Sequence, residues 1–313
     1  MSKLDFTSCP KVIGRAYNGA NGKKIAVSYN GETYMLKFPP APNQTRSELS
    51  YTNSCISEYL CCHIFETLGI PVQQTLLGTY SVNGKEKIVC ACKDFTSDTV
   101  SFFDFCSIKN TIIDSELNGK GTDINEVLET ISLQQYVDPQ KLSDFFFDVF
   151  IADALVGNFD RHNGNWGFLF DRASQKYEIA PVYDCGSCLL PQADDEMLQS
   201  IMTDRGEFNS RIYNYPLSAI YHGGKKINYH SFINSLEFKE CNQALLRIAP
   251  RIDTEKINAL VDGTPYISDV QRTFYKAFIG ARFEKIIAPA YKKVLAMNEE
   301  ITQSTDIDFG MKM

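Results

Sequence analysis

No apolar run in this chain approaches the roughly 20 residues a helix needs to cross a bilayer. The opening Met1-Ser2-Lys3-Leu4-Asp5 has no signal-peptide core. An integral membrane protein is therefore not expected, and the cytoplasm is the expected compartment. Histidine is scarce: His63, His162, His222 and His230 show no spacing that would complete a zinc site with Cys185-Gly186-Ser187-Cys188. That C-x-x-C also lacks a thioredoxin-like setting. Basic charge is short as well, with 31 Lys and Arg against 38 Asp and Glu and a net charge of -7, which argues against nucleic-acid binding. It would also weakly repel an anionic membrane surface. No internal repeat or low-complexity linker appears. Without an export signal, the ten cysteines read as reduced, small core residues.

What the chain does have is concentrated between Ala152 and Gly167. Asp160 precedes Asn165 by five residues, with Arg161 and His162 between them, and a second carboxylate stands further on in Ala180-Pro181-Val182-Tyr183-Asp184. Phosphoryl transfer calls for this kit: one Asp to orient or deprotonate the attacking hydroxyl, and an Asn with a second Asp to hold Mg²⁺ against the phosphates. A lone Asp-x4-Asn is more often a plain turn. Here the context differs. Leu142, Phe145, Phe146, Val149, Phe150, Ala152 and Leu155 recur at helical spacing after Asp138-Pro139, and Gly157 ends the helix. Trp166 to Phe170 reads as a buried strand and Tyr177 to Ala180 as its return, which brings Asp184 back beside Asp160 and Asn165.

The first sixty residues supply the rest of a kinase. Asn18-Gly19-Ala20-Asn21-Gly22-Lys23 forms a loop whose amides could approach phosphate oxygens, because glycine has no Cβ. A hairpin comes next, Lys24 to Tyr29 and Glu32 to Phe38 around Asn30-Gly31. It places Lys37 near the end of the third predicted strand, where kinases keep the lysine that pairs with nucleotide phosphates. An amphipathic helix over about Asn53 to Leu68, closed by Gly69, carries Glu58 in its first turns, where it could pair with Lys37.

The ordered set resembles the HipA-like serine/threonine kinases, closest to the short stand-alone cell-translocating type. It rests on the Gly-Ala loop ending in Lys23-Lys24, Met35-Leu36-Lys37-Phe38-Pro39, Ser57-Glu58-Tyr59-Leu60 before Leu68-Gly69-Ile70, and Asn158-Phe159-Asp160-Arg161-His162-Asn163-Gly164-Asn165 with Ala180-Pro181-Val182-Tyr183-Asp184. The resemblance implies an α+β, protein-kinase-like two-lobed fold. A β-rich N-lobe would span 1–94 and a larger helical C-lobe 95–313. It implies ATP and Mg²⁺ as cofactors and a protein Ser or Thr as acceptor. Lys37 would hold the phosphates, Asp160 would be the base, and Asn165 and Asp184 would bind the metal. Ile88 to Cys92 would end the small lobe's sheet, with Lys93-Asp94-Phe95 as the hinge facing adenine; Glu58 and His162 join the nucleotide-binding set.

Two features depart from the pattern. Few residues precede Lys11, where larger members carry an extra region, so a cognate antitoxin partner is in doubt. Tyr17-Asn18 stand where a phosphorylatable serine often precedes the loop, so autophosphorylation is expected at Ser187 or Thr203 instead. The resemblance also leaves room for non-classical secretion or translocation. Asp160-Arg161-His162-x-x-Asn165 is similar to the catalytic loop of phosphoinositide kinases too, so a lipid kinase is one alternative. A nucleotide-binding effector that does not turn over is another. Elsewhere, Phe102 to Phe105 is expected to open the first C-lobe helix. Pro191 to Glu196 and Asp204-Arg205-Gly206 should be flexible, and Pro289 should interrupt the chain beyond the helix that Ser268 caps.

Overall fold

The computed structural model describes residues 3–15, 24–40, 52–113 and 117–310. Strands β1 (Lys24–Tyr29) and β2 (Glu32–Lys37) pair antiparallel around Asn30-Gly31, both at positive φ (50° and 81°). That is the two-residue turn whose twist suits a hairpin. Helix α1 (Ser54–Thr67) comes next, then strands β3 (Thr75–Val82) and β4 (Lys85–Lys93), joined by Asn83-Gly84, again at positive φ. The sheet order is β1-β2-β4-β3. So Lys37 ends the second described strand rather than a third, because the described chain before Lys24 contributes only isolated bridges at Asp5 and Lys11.

One face of this sheet packs on α1 through Ile56, Leu60, Ile64 and Phe65, with the thiols of Cys55, Cys90 and Cys92 in the same core, while Cys61 and Cys62 meet Cys188 and Cys185. Small polarizable side chains suit such a core, and all are free. The other face is covered by the N-terminal segment around Phe6. A Cβ at Gly78 would lie 2.6 Å from the Phe6 ring, so glycine is required for that approach.

Beyond the hinge the chain becomes mostly helical. Val100–Asp104 is a strand, β5, not the start of a helix; Phe102 and Phe103 pair with β6 (Gly167–Asp171), and helix α2 (Phe105–Ile112) begins only where the Asp104 side chain caps the Ser107 amide. A helix α3 (Ile124–Leu133) leads to α4 (Pro139–Val156), capped by Asp138 and closed by Gly157 at φ 67°. Strand β7 (Lys176–Ile179) completes a β5-β6-β7 sheet.

The segments expected to be flexible lead into helices: 191–194 is a turn and coil that ends at the Asp194 cap of α5 (Asp195–Thr203), and Asp204 caps α6 (Arg205–Tyr213). The polar residues that suggested mobility are there to satisfy amides. A small hairpin, β8 (Tyr221–His222) and β9 (Lys225–Lys226), precedes α7 (Tyr229–Ser235), α8 (Lys239–Ile248) and α9 (Thr254–Gly263). Helix α10 (Asp269–Arg282) starts with a capping box at Ser268. Pro289 does not break the helical run beyond it. A π turn over Phe283–Ile287 widens the ladder first, and Pro289 then falls in the first turn of α11 (Ala288–Gly310), where its missing N–H is tolerated. Among the described residues, no helix is long and apolar enough to cross a membrane.

Candidate active site

The segment that carries Asp160 and Asn165 hangs from the end of α4. Left-handed Gly157 turns the chain, and a Cβ there would come within 2.9 Å of Phe278. Buried Asn158 then locks the exit: its amide Nδ2 donates to Asp153 Oδ1 at 2.7 Å, its Oδ1 accepts from the Asp160 N–H at 3.0 Å, and its carbonyl accepts from the Tyr229 hydroxyl at 2.7 Å. Asp160 is thus presented by a main chain that is firmly held.

Arg161 turns inward. Its Nε donates to Asp153 Oδ2 at 3.1 Å, and its remaining nitrogens donate to the carbonyls of Asn165 and Tyr183 and to Cys185 Sγ. One buried guanidinium therefore ties α4, the loop and the turn at Asp184 together. Sequence reasoning misses this role, because an Arg between Asp160 and Asn165 reads as exposed until the carboxylate of Asp153 is seen beneath it. Burial pushes the Asp153 carboxyl up, while Arg161 pulls it back.

Asn165 Nδ2 donates to the Asp160 carbonyl at 2.8 Å, which leaves Oδ1 as the atom able to accept or ligate. Asp184 stands just past a crossing of the chain leading into β3, where the Gln73 N–H donates to Val182 O and the Val182 N–H to Pro71 O, each at 2.8 Å. It sits at φ 58°, a conformation Asp tolerates better than most residues. Lys37 Nζ lies 2.9 Å from Asp184 Oδ1 and 2.9 Å from Glu58 Oε2. The charge of Lys37 holds the Asp184 carboxyl down at about 2. Burial pushes Glu58 up against the pull of Lys37, and burial opposes the Lys37 charge but is outweighed by Asp184 and Glu58, so Lys37 stays protonated. The Glu58 side chain is 1% exposed, and neither of its oxygens receives a well-aligned hydrogen bond, although one is at ion-pair distance. Asp160 is pushed up by burial and by Asp184, with His162, Arg161 and Lys226 opposing.

These groups line one cleft of about 700 Å³, the size of a small-molecule site. Lys37, Glu58, Asp94, Phe95, Asp160, His162, Asn165 and Asp184 all border it. Lys93 does not. Its N–H donates to Gln74 O, its carbonyl accepts from Gln73 Nε2, and its ammonium lies 3.1 Å from Glu32, so of these three residues Asp94, whose N–H donates to Thr33 O, and Phe95 are the ones that border the cleft. Asn18, Gly19, Ala20, Asn21, Gly22 and Lys23 fall outside the described residues. The residues flanking that loop, Arg15 and Lys24, both line the cleft.

Lys24 is a site residue that sequence reasoning misses, yet the signal is there. A two-residue turn at Asn30-Gly31 pairs Tyr29 with Glu32, and counting outward pairs Lys24 with Lys37. Burial and then Lys37 push its ammonium down. Arg15 Nη1 donates to Thr96 Oγ1 at 3.0 Å, which ties the loop's root to the hinge. Of the two expected phosphorylation sites, Ser187 is buried in the cleft wall and Thr203 is exposed on α5.

The donor set fits a hard cation bridging to phosphate. Asn165 and Asp184 offer two oxygen ligands, too few for a protein-only cage, and Mg²⁺ characteristically takes one or two carboxylates plus phosphate oxygens. Among the described residues no cluster of three or more His, Cys, Asp or Glu could hold a metal alone.

The HipA-like C-terminal domain family model matches residues 16–257. The chain is 48% identical over 305 residues to Serine/threonine-protein kinase CtkA of Helicobacter pylori strain J99, covering 97% of this chain and 92% of that one. It superposes on the crystal structure of the Helicobacter pylori proinflammatory kinase CtkA with a TM-score of 0.89 at 49% identity, over 94% of this chain and 98% of that chain. HipA of Shewanella oneidensis MR-1, solved with HipB and operator DNA, matches with a TM-score of 0.55 at 16% identity, over 90% of this chain and 67% of that one, a likeness of fold alone.

Proposed function

The chain belongs to the HipA-like C-terminal domain family and is a kinase; from that premise we propose that it transfers the γ-phosphoryl group of ATP, bound with Mg²⁺, to serine or threonine hydroxyls of a protein. The observation that carries this reading is Lys37 held 2.9 Å from both Glu58 and Asp184, in a cleft that also presents Asp160 and Asn165.

Lys37 binds nucleotide phosphates and Glu58 fixes its ammonium. Asn165 Oδ1 and the Asp184 carboxylate would hold Mg²⁺, which would supply charge neutralisation at the phosphates. The Phe95 main chain faces the base. Asp160 accepts a hydrogen bond from the acceptor hydroxyl, aligns its oxygen and takes its proton as the new P–O bond forms and the bond from the γ-phosphorus to the β,γ-bridging oxygen breaks, ADP leaving with that oxygen. Most of the acceleration comes from this positioning and from fixed charge.

A protein acceptor is favoured over a lipid headgroup by the 48% identity to a protein kinase. Turnover is favoured over mere nucleotide docking because Lys37, Asp160, Asn165 and Asp184 meet in one cleft. The test is radiolabelled ATP with protein substrate. Asp160→Ala should lower phosphoryl transfer by about a thousandfold while ATP affinity, measured separately, stays within about twofold of wild type. Wild-type turnover in this variant would remove Asp160 from its role.

A further inference from the structure

We propose that the acceptor is an acidic protein segment, its carboxylates read by Lys226 and Lys225 on the β8–β9 hairpin while its hydroxyl lies at Asp160. This assumes the phosphoryl-transfer reading above.

A short run of hydrogen bonds links the hairpin to the catalytic loop. Asn163 Nδ2 donates to the carbonyls of Gly119 and Gly121 at 2.9 and 2.7 Å. The next residue, Thr122, accepts from the Tyr221 N–H at 2.9 Å and donates through its hydroxyl to Ala219 O at 2.7 Å. Tyr221 is paired with Lys226 across the hairpin. The charge of Lys226 acts on Asp160, yet neither Lys225 nor Lys226 borders the nucleotide cleft, which Asp160 does. On this reading the acceptor approaches Asp160 from the hairpin's side, outside the cleft that would hold the nucleotide.

Two lysines in a turn are usually solvated, and a mobile turn would support nothing more. This one is fixed. Ile220 and Ile227 are buried at its base and bond through Ile227 N to Ile220 O at 2.8 Å. The His222 ring packs edge-on against Phe238 at 5.3 Å, and Gly223 and Gly224 supply the positive φ of the turn. Lys225 and Lys226 are both exposed, while the described ion pairs of lysine run through Lys37, Lys93, Lys109 and Lys276. Asp160 is negative and would repel an acidic segment, so two ammoniums carried on a fixed hairpin are what would admit one. Lys226 is the hairpin lysine whose charge acts on Asp160, so the larger effect is expected there.

The test uses the whole chain and serine peptides in which each flanking position is in turn Glu, phosphoserine, Ala or Lys. Wild type should phosphorylate peptides carrying Glu or phosphoserine at one or two positions about fivefold faster than their Lys counterparts. The preference should shrink as salt rises. Lys226→Glu should reverse it, Lys225→Glu should weaken it, and both variants should keep wild-type melting behaviour and ATP affinity. Indifference to peptide charge, a preference unchanged in both variants, or no peptide phosphorylated by an enzyme that binds ATP would overturn the proposal. Failure of the wild type to bind ATP would overturn the kinase reading beneath it.

Discussion

Arg161 and Lys37 are both buried cations facing carboxylates, and they stand on either side of Asp184. Arg161 is saturated: Asp153, two carbonyls and a thiol take its donors, and its partner Asp153 also accepts from Asn158. Lys37 has two ion-pair partners, one of which, Glu58, lacks an aligned hydrogen bond, while the other, Asp184, keeps its side chain 45% exposed to the cleft. The first network can only hold the loop in place. The second can exchange a partner, and under the proposed mechanism, in which Asp184 would pass from an ammonium to Mg²⁺, that incompleteness is what the exchange would use. Saturation marks the scaffold here, and partial satisfaction marks the chemistry.

The largest break in this comparison should come from the saturated side. Asp153→Ala strands a buried guanidinium, so unfolding free energy in denaturant titrations should fall by about 3–5 kcal/mol. Glu58→Gln should do the opposite. Stability should change by less than about 1 kcal/mol, because removing a poorly bonded buried charge also removes its desolvation cost, while phosphoryl transfer should drop by about a hundredfold as Lys37 loses its alignment. Equal destabilisation by the two substitutions would erase the distinction.

Acid separates the networks next. The folded Asp184 carboxyl sits at about 2, below its unfolded value near 3.9. Its contribution is therefore present above about pH 4 and lost as pH falls from there through about 2. Glu58 is raised, so it works in the other direction, gaining stability as it takes up a proton. Thermal melts across that window should show a loss in wild type that Asp184→Asn flattens. A variant that tracks the wild-type curve would mean the Lys37–Asp184 pair carries no net coupling.

Sequence and structure agree best where boundaries carry their own chemistry. Helix α4 is legible to the residue, because Pro139 suits a first turn and Gly157 can adopt the left-handed exit. Lys37, Glu58, Asp160, Asn165 and Asp184 converge because each lies at the end of, or inside, such a well-marked element. Val100–Asp104 misleads because Phe102 and Phe103 suit a strand or a helix equally, and only the pairing with β6 decides. Asp194 and Asp204 read as loop polarity in the sequence but serve as caps. Lys93 cannot be excluded from the hinge without knowing that Gln73 and Gln74 already occupy its main chain. Arg161 is opaque for the reason that makes it important: its partners come from separate places in the chain.

A smaller effect sharpens the picture at the phosphate end. Lys24 faces Lys37 across β1 and β2, so Lys24→Ala should weaken ATP binding by about fivefold and leave adenosine binding unchanged. Equal weakening for both ligands would assign Lys24 to the strand rather than to phosphate.

The exchange of partners at Asp184 is tested most directly by calorimetry of ATP binding to Asp184→Asn with and without Mg²⁺. Affinity should fall by about tenfold or more when Mg²⁺ is present, and change little when it is absent. An equal loss in both conditions would contradict the exchange, because Asp184 would then serve Lys37 and the fold rather than the metal.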